Sequence, residues 1–278
     1  MIGALIGVAM MQVLVSQNRF MSRDAMSREA RATVTSGLGL LGADLRMVEY
    51  SSGHSTGLVT SASEPSDSAF TVRLSIAFAI ACDASRLVIA PYDTTRLTFG
   101  GIGARSFDGY AIRTGGTGYT YQAPSGSWLI IPSSSTACAS PSPAINTGGG
   151  GSGLQLASTA APMTPTPARG TAVMLWVLLR YRIGASTTFT APQRQALFVT
   201  LGASGTEREL VAPLDSGAQF RYFDAASMDT ARTSPPADAT TIRGIQFILP
   251  GLSPAVAEAR SGAESSRMVS SIFFRNSP

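Results

Sequence analysis

Residues 1–15 (MIGALIGVAMMQVLV) contain one polar side chain, Gln12, and no charge. They continue into a charged segment with helical periodicity, and no proline or glycine break separates the two. The join predicts one continuous helix whose first half lies in an apolar environment. This feature limits the fold more than any other, because the rest of the chain has to be carried by the polar half of that helix.

The charge-free stretch over residues 1–18 is close to the lower end of the roughly 17 to 25 residues that a membrane-spanning helix needs. It therefore predicts a transmembrane half-helix. A cleaved signal peptide would begin with basic residues and end at a small-residue cleavage site, but no Lys or Arg precedes Arg19 and SQNRFMSRD follows Val15. A buried core helix is the other alternative, and it would need protein on every side.

The amphipathic half of the helix is predicted over residues 19–50. Apolar residues recur there at intervals of three and four, the stripe of a helix packed along one face: Ala30, Val34, Leu38, Leu41, Leu45 and Val48. Gly37, Gly39 and Gly42 fall within the pattern, and each costs up to about 1 kcal/mol relative to Ala. These glycines indicate either a kink or a close approach of another backbone. The SSGHSTG segment after Tyr50 predicts a loop.

Beyond the helix the hydrophobic period changes to two, which predicts an antiparallel sheet. The β-prone runs are 69–74, 86–89, 128–131, 196–201, 209–212, 219–223, 241–249 and 268–274. Residues 173–182 (VMLWVLLRYR) are too few to span a membrane and predict a central strand. Residues 132–170, rich in Ser, Pro, Thr and Gly, predict a long flexible excursion. The predicted fold class is α+β, with the long helix packed on a β-rich body over residues 51–278.

Composition excludes one class of partner. All 21 basic residues are arginine, and the net charge of +4 is spread along the 278 residues. No basic run with interleaved aromatic residues is present, so the sequence has no electrostatic footprint for nucleic-acid binding.

The two cysteines, Cys82 and Cys138, form an even count that predicts a disulfide in an oxidising compartment. The crosslink would stabilise the fold by about 4 kcal/mol on chain-entropy grounds. Two unrelated buried thiols are the alternative. Neither cysteine belongs to a C-x-x-C motif, so the sequence offers no support for redox or zinc chemistry.

Motifs for catalysis or cofactor binding are absent from the sequence. The single histidine, His54, is predicted to be a surface loop residue. The glycines of FGGIGARSF resemble only half of a phosphate-binding loop. Four aspartates are candidate calcium ligands, but they lack EF-hand spacing and are predicted to be solvated turn residues: Asp83, Asp93, Asp108 and Asp224. No enzyme activity, cofactor or metal is therefore expected.

An apolar half-helix followed by an amphipathic half resembles the type IV pilins and pseudopilins, in particular the PilW-type minor pilins and the similar J-type pseudopilins of type II secretion. LGLLGADLRMVEY (38–50) is similar to the segment with which those helices end, and SDSAFTVRL (66–74) to their first strand. Looser matches are RELVAPLDSGAQFRYFD (208–224), IRGIQFILPG (242–251) and IFFRN (272–276).

The resemblance implies a non-enzymatic subunit of a type IV pilus, held in the inner membrane with its body in the periplasm and inserted into a filament by its helix. Its partners would be other pilin or pseudopilin subunits and, before assembly, inner-membrane lipid. The residues expected to pack in the membrane and the filament core are Ile2, Gly3, Leu5, Ile6, Gly7, Val8, Val13 and Leu14. A pseudopilus subunit of a type II secretion system and a membrane-anchored periplasmic binding module are the alternatives.

The chain departs from the family pattern at its beginning. Family members start with a short basic leader ending in Gly, followed by a Phe/Met-Thr-Leu-Ile-Glu type of sequence, and neither is present here. The expectation is that the DNA immediately upstream encodes an in-frame G-F-[ST]-L-[IV]-E, with Met1 an internal methionine; a truncated gene is the alternative. Prepilin peptidase would be a partner only in that case.

Overall fold

The computed structural model describes most of the chain outside several loops. The described residues are 2–46, 48, 57–61, 63–89, 107–114, 118–123, 128–132, 154–158, 162–189, 194–203, 205–238, 241–253 and 265–274.

One helix, α1, spans Ile2–Arg46. At 1.5 Å per residue, its 45 residues extend for about 68 Å. The apolar and charged halves are joined without interruption, as the continuous pattern predicts. The helix ends four residues before the predicted end at Tyr50, and Arg46 in its last turn interacts favourably with the helix dipole.

Fourteen strands follow within the described residues, and every pairing among them is antiparallel. They are β1 (Leu58–Val59), β2 (Ala69–Ala81), β3 (Arg86–Ile89), β4 (Gly109–Thr114), β5 (Gly118–Gln122), β6 (Trp128–Pro132), β7 (Leu154–Ser158), β8 (Ala172–Ala185), β9 (Gln195–Leu201), β10 (Arg208–Leu214), β11 (Gln219–Asp224), β12 (Ser227–Arg232), β13 (Ile242–Leu252) and β14 (Ser265–Phe273).

The strands form one sheet in the order β12-β11-β13-β10-β9-β8-β2-β3-β7-β6, with β1 on β2, β14 on β13, and the β4–β5 hairpin on β8. Its centre is the pair β2 and β8, which runs from Ala69↔Arg182 to Ile80↔Ala172. The prediction of a central strand over residues 173–182 is therefore confirmed.

The α+β classification is wrong. About half of the described residues lie in strands and under a quarter in the helix, so the molecule is a mostly antiparallel β-sheet protein with one N-terminal helix. The error arose because the helix has a long, clear period whereas several strands are short or polar. Strand β7 even lies within residues 132–170, predicted as a flexible excursion, and it pairs with both β3 and β6.

The main hydrophobic core lies between the C-terminal half of α1 and one face of the sheet. Its aromatic centre consists of Phe70 on β2, Phe220 on β11 and Phe247 on β13, all fully buried. The ring of Phe220 meets that of Phe70 edge-on with the centroids 4.8 Å apart, and that of Phe247 with the centroids 5.8 Å apart. Edge-to-face contacts of this kind add about 0.5–1.5 kcal/mol each to the burial of the rings. The core therefore fixes the helix on the body.

Candidate interaction surface

The C-terminal half of α1 lies unusually close to strand β13. A β-carbon added to Gly251 would overlap Cγ2 of Val34 and lie 2.7 Å from the carbonyl oxygen of Ala30. Only a glycine leaves room for the helix backbone at this point. The apolar stripe predicted from the sequence is confirmed there, because Ala30, Val34, Leu41, Leu45 and Val48 are buried and Leu38 packs against the same core.

The three helix glycines have different surroundings. A β-carbon at Gly37 would overlap Cγ2 of Val211 on β10, whereas one at Gly39 would meet nothing within 4 Å. At Gly42 the nearest atom would be Cδ1 of Ile272, 3.6 Å away. The helix is continuous through all three positions. Neither a kink nor the approach of another backbone is found at these glycines; at Gly37 it is the side chain of Val211 that lies close to the helix.

Two polar contacts also connect α1 to the sheet. The hydroxyl of Tyr181 on β8 donates a hydrogen bond to Oδ2 of Asp44, and the buried Ser253 donates one of 2.9 Å to Oε2 of Glu29. Burial raises the pKa of Asp44, and the hydrogen bond from Tyr181 offsets part of that rise. The pKa of Tyr181 is also raised, mainly by burial and further by the neighbouring carboxylate.

The other half of the helix is exposed. We call residues 10–25 of α1 the helical arm, because all of their side chains are exposed to solvent in the isolated chain. Seven large apolar side chains belong to it: Met10, Met11, Val13, Leu14, Val15, Phe20 and Met21. Leu14 is 65% exposed and Phe20 is 73% exposed. Such an array of exposed apolar side chains indicates a surface that another molecule or a membrane covers.

The large apolar side chains cover a broad sector of the arm but not its whole circumference. Successive residues of an α-helix are rotated by about 100°, so Gln12, Ser16, Arg19 and Arg23 lie together on the remaining side. A helix of this kind normally buries its apolar sector and keeps its polar side in contact with water or polar groups. Lipid or neighbouring helices would cover the apolar sector of the arm.

Charged residues begin in the middle of the arm, at Arg19, and become more frequent toward the body. Arg28 pairs with Asp24 at 2.7 Å, one turn apart on the helix, and both side chains are substantially exposed. An exposed pair of this spacing stabilises a helix by only about 0.3–0.5 kcal/mol. The charged side chains make the segment next to the body polar, so it is suited to water or to a headgroup layer.

Two of the residues predicted to pack in a membrane or filament, Val13 and Leu14, are exposed in the arm. The other six have backbones in α1, and their side chains lie outside the described part: Ile2, Gly3, Leu5, Ile6, Gly7 and Val8. Among the described residues, no helix is both long enough and apolar enough to qualify as a membrane span.

The predicted disulfide has one described member. Cys82 is buried after β2 and is disulfide-bonded. Cys138 lies outside the described residues, as do His54, Asp93 and the glycines Gly100, Gly101 and Gly103.

The other three aspartates that are candidate calcium ligands lie apart from one another, and each has a structural partner. Asp83 pairs with Arg86, and Asp108 accepts backbone hydrogen bonds from Leu178 at 2.7 Å and Ala203 at 3.0 Å. Asp224 accepts hydrogen bonds from the N–H groups of the following turn and pairs with Arg232 at 3.2 Å. No group of three or more metal-ligating side chains occurs within the described part of the chain.

Sequence reasoning missed a charged groove on the sheet face opposite α1. Arg180 and Arg182, two residues apart on β8, pair at 2.6 Å with Glu64 and Glu207 respectively. The hydrogen bond from Arg182 lowers the pKa of Glu207. The groove has a volume of about 460 Å³, and Thr71, Leu178 and Thr200 also line it. Its only signal in the sequence is the alternation of Arg in LLRYR, which places both arginines on one face.

Comparison with protein-family models, curated proteins and solved structures gives no match to this chain.

Proposed function

We propose that this chain is a structural, non-enzymatic subunit of a filament of the type IV pilus kind, held in the inner membrane before assembly with its body in the periplasm. The observation that carries the proposal is the helical arm, whose seven large apolar side chains are exposed over a broad sector of the helix. The body does not cover this surface, so the arm requires an environment that the isolated chain lacks. A subunit of a type II secretion pseudopilus would also need an apolar environment around this arm.

Assembly on this basis is an exchange of apolar environments. Lipid surrounds the arm in the membrane, and the arms of neighbouring subunits surround it in the filament. Since lipid tails are as apolar as Leu, association depends on close packing, which the small residues of the apolar half favour. The contacts of Gly251 and Gly37 with their partners hold the C-terminal half of α1 on the body, so a force on the arm is transmitted to the sheet.

The proposal is tested by recovery of the subunit in filaments sheared from the cells that produce it. Leu14→Asp places a charge in the middle of the arm. It is expected to lower the amount of the subunit recovered in sheared filaments at least tenfold. Leu40→Asp is the matched control, because Leu40 is an exposed leucine of the same helix outside the arm. It should leave recovery within about twofold.

Protease resistance of the body shows whether each variant is folded. Equal recovery of Leu14→Asp and the native chain, with both folded, would exclude an arm-dependent assembly. Absence of the native chain from sheared filaments, with the protein retained in membranes, would favour a membrane-anchored binding module. The charged groove of Arg180 and Arg182 would then be a candidate binding surface, because it lies on the body and is lined by charged side chains.

A further inference from the structure

The charged groove on the face of the sheet away from α1 has the position and size of a ligand site. It crosses three neighbouring strands, because Thr71 on β2, Arg180 on β8 and Thr200 on β9 are direct cross-strand partners. Its volume of about 460 Å³ is within the range of about 300–1,000 Å³ that is usual for small-ligand sites. The groove is therefore large enough for a small extended ligand.

The shape of the groove is fixed by hydrogen bonds beneath it. The turn after β9 forms part of the wall, and Asp108 accepts a hydrogen bond of 3.0 Å from the N–H of Ala203 in that turn. The other carboxylate oxygen of Asp108 accepts one of 2.7 Å from the N–H of Leu178, which also lines the groove. One buried contact thus connects the wall to the central strand, so a ligand does not have to order the site when it binds.

Two carboxylates neutralise the two arginines of the groove but leave one guanidinium edge open. Glu64 is almost fully buried and accepts hydrogen bonds from Nε of Arg180 and Oγ1 of Thr71, both of 2.6 Å. Glu207 accepts hydrogen bonds from Nε and Nη2 of Arg182. Within the described residues Nη1 and Nη2 of Arg180 make no hydrogen bond, and this side chain is 43% exposed. The groove therefore offers donors from Arg180 beside the partly exposed carboxylate of Glu207.

The charge balance of the groove indicates a neutral ligand. Its two guanidinium groups and two carboxylates sum to zero. An anion bound to Arg180 would lie beside both carboxylates, and a cation bound to Glu207 would lie beside both guanidinium groups, which is unfavourable in each case. A hydroxyl both donates and accepts hydrogen bonds. Neighbouring hydroxyls of one neutral ligand can therefore use the donors of Arg180 and the acceptors of Glu207 together.

An apolar and aromatic surface continues from the groove. Leu178 lines the groove and also packs, together with Tyr121, against the small cluster of Ala111, Met174 and Trp176. Tyr121 is partly exposed. A saccharide ring has an apolar C–H face and a rim of hydroxyls, and a tyrosine ring offers a flat apolar surface of similar size. The groove and this surface together match both sides of a sugar.

We propose that the groove binds a neutral oligosaccharide, whose hydroxyls hydrogen-bond to Arg180 and Glu207 and whose apolar face packs on Leu178 and Tyr121. The site is independent of the proposed function, because no residue of α1 lines it. It is the same in a filament subunit and in a membrane-anchored binding module.

Isothermal titration calorimetry of the full chain tests the proposal. A zwitterionic detergent is used, because alkyl glycosides would compete for the site. The neutral probes are cellotetraose, maltotetraose and chitotetraose, and tetragalacturonate is the anionic comparison. At least one neutral probe is expected to bind, with an affinity that changes less than about twofold between low and high salt because the probe has no charge to screen. Binding of none of the three, or of tetragalacturonate alone, overturns the proposal.

Substitutions locate the binding in the groove. Arg180→Met keeps the apolar stem but removes the open donors, and it should weaken binding of the neutral probe at least tenfold. Arg86→Met is the matched control, because Arg86 is also paired with a carboxylate and is 45% exposed but lies outside the groove. It should leave the affinity within about twofold.

A second variant keeps the test valid if Arg180→Met does not fold. Thr200→Trp fills the groove without removing either ion pair and should abolish binding. Protease resistance of the body shows which variants are folded. Native affinity in a folded Arg180→Met or Thr200→Trp variant, or an equal loss in Arg86→Met, contradicts the assignment of the site.

Discussion

The hydroxyl of Tyr181, in the middle of the central strand β8, donates a hydrogen bond to the carboxylate of Asp44 near the end of the helix. Tyr181 is almost fully buried and Asp44 is partly buried, so an ionisable group of the helix is held inside the helix–sheet interface. The raised pKa of Asp44 shows that burial outweighs the hydrogen bond in determining its charge. Attachment of the helix to the body is therefore linked to pH.

The first prediction concerns this linkage. Because the pKa of Asp44 in the folded state lies above its ordinary value of 3.8, the neutral form contributes stability that is fully present below that value. The contribution is lost as the pH rises through the raised pKa. Asp44→Asn keeps a neutral oxygen acceptor and should be less sensitive to pH in this window than the native chain. Urea unfolding of the full chain in detergent, followed by tryptophan fluorescence from below pH 3.8 up to neutral pH, measures the difference.

Asp24→Asn is the control for Asp44→Asn. Asp24 is an acid of the same helix, but it is exposed and paired with Arg28. Asp24→Asn should therefore show the same pH dependence of unfolding as the native chain. A pH dependence that is the same in the native chain and in Asp44→Asn would show that the interface does not raise the pKa of Asp44.

A second prediction compares Gly37 and Gly39, which are two residues apart on the helix and have different surroundings. Gly39→Ala should stabilise the protein by up to about 1 kcal/mol, because a β-carbon there meets nothing and Ala favours the helix. Gly37→Ala would overlap the branched side chain of Val211 and should destabilise by about 1–3 kcal/mol, the usual cost of overpacking a core. Unfolding free energies of the two variants give the comparison. Stabilisation by both would mean that the helix is not in close contact with β10.

The sequence predicted well those elements whose burial has a single long period. The stripe from Ala30 to Leu45 and the central strand β8 are apolar over many residues, so the pattern survives local exceptions. The hairpin of β4 and β5 was missed, although the GG pair in IRTGGTGY is a turn signal between two alternating runs. Strand β12 (SMDTAR) is polar and mostly exposed, and it is a strand because β11 pairs with it.

Prediction of the candidate surfaces was similarly uneven. The apolar arm is evident in the sequence because its residues are contiguous. The pairs Arg180–Glu64 and Arg182–Glu207 join residues from separate strands and loops, and only the sheet register brings them together. The contact between Gly251 and Ala30 depends in the same way on the position of the helix over β13. Local patterns carry no information about such pairings before the topology is known.

A third prediction addresses the disulfide of Cys82. Proteolysis without reduction should yield the peptide of Cys82 joined to that of Cys138, the only other cysteine in the sequence. Cys82→Ser and Cys138→Ser should each lower stability by about 2–4 kcal/mol, and the double variant should cost no more than either one. Mass spectrometry and thermal unfolding provide the two measurements. Free peptides in the unreduced digest, or additive losses, would contradict an intramolecular crosslink.

The last prediction uses two leucines of the same helix to separate folding from assembly. Leu41 is fully buried against the sheet, so Leu41→Ala should cost about 2–5 kcal/mol of unfolding free energy through lost burial and the cavity that remains. Leu14 in the arm is 65% exposed, so Leu14→Ala should change stability by no more than about 0.5 kcal/mol. The same substitution in the arm should nevertheless weaken association between copies, measured by the dissociation of chains in detergent. If Leu14→Ala destabilised the monomer as much as Leu41→Ala, the arm would be part of the folding core rather than a surface for partners.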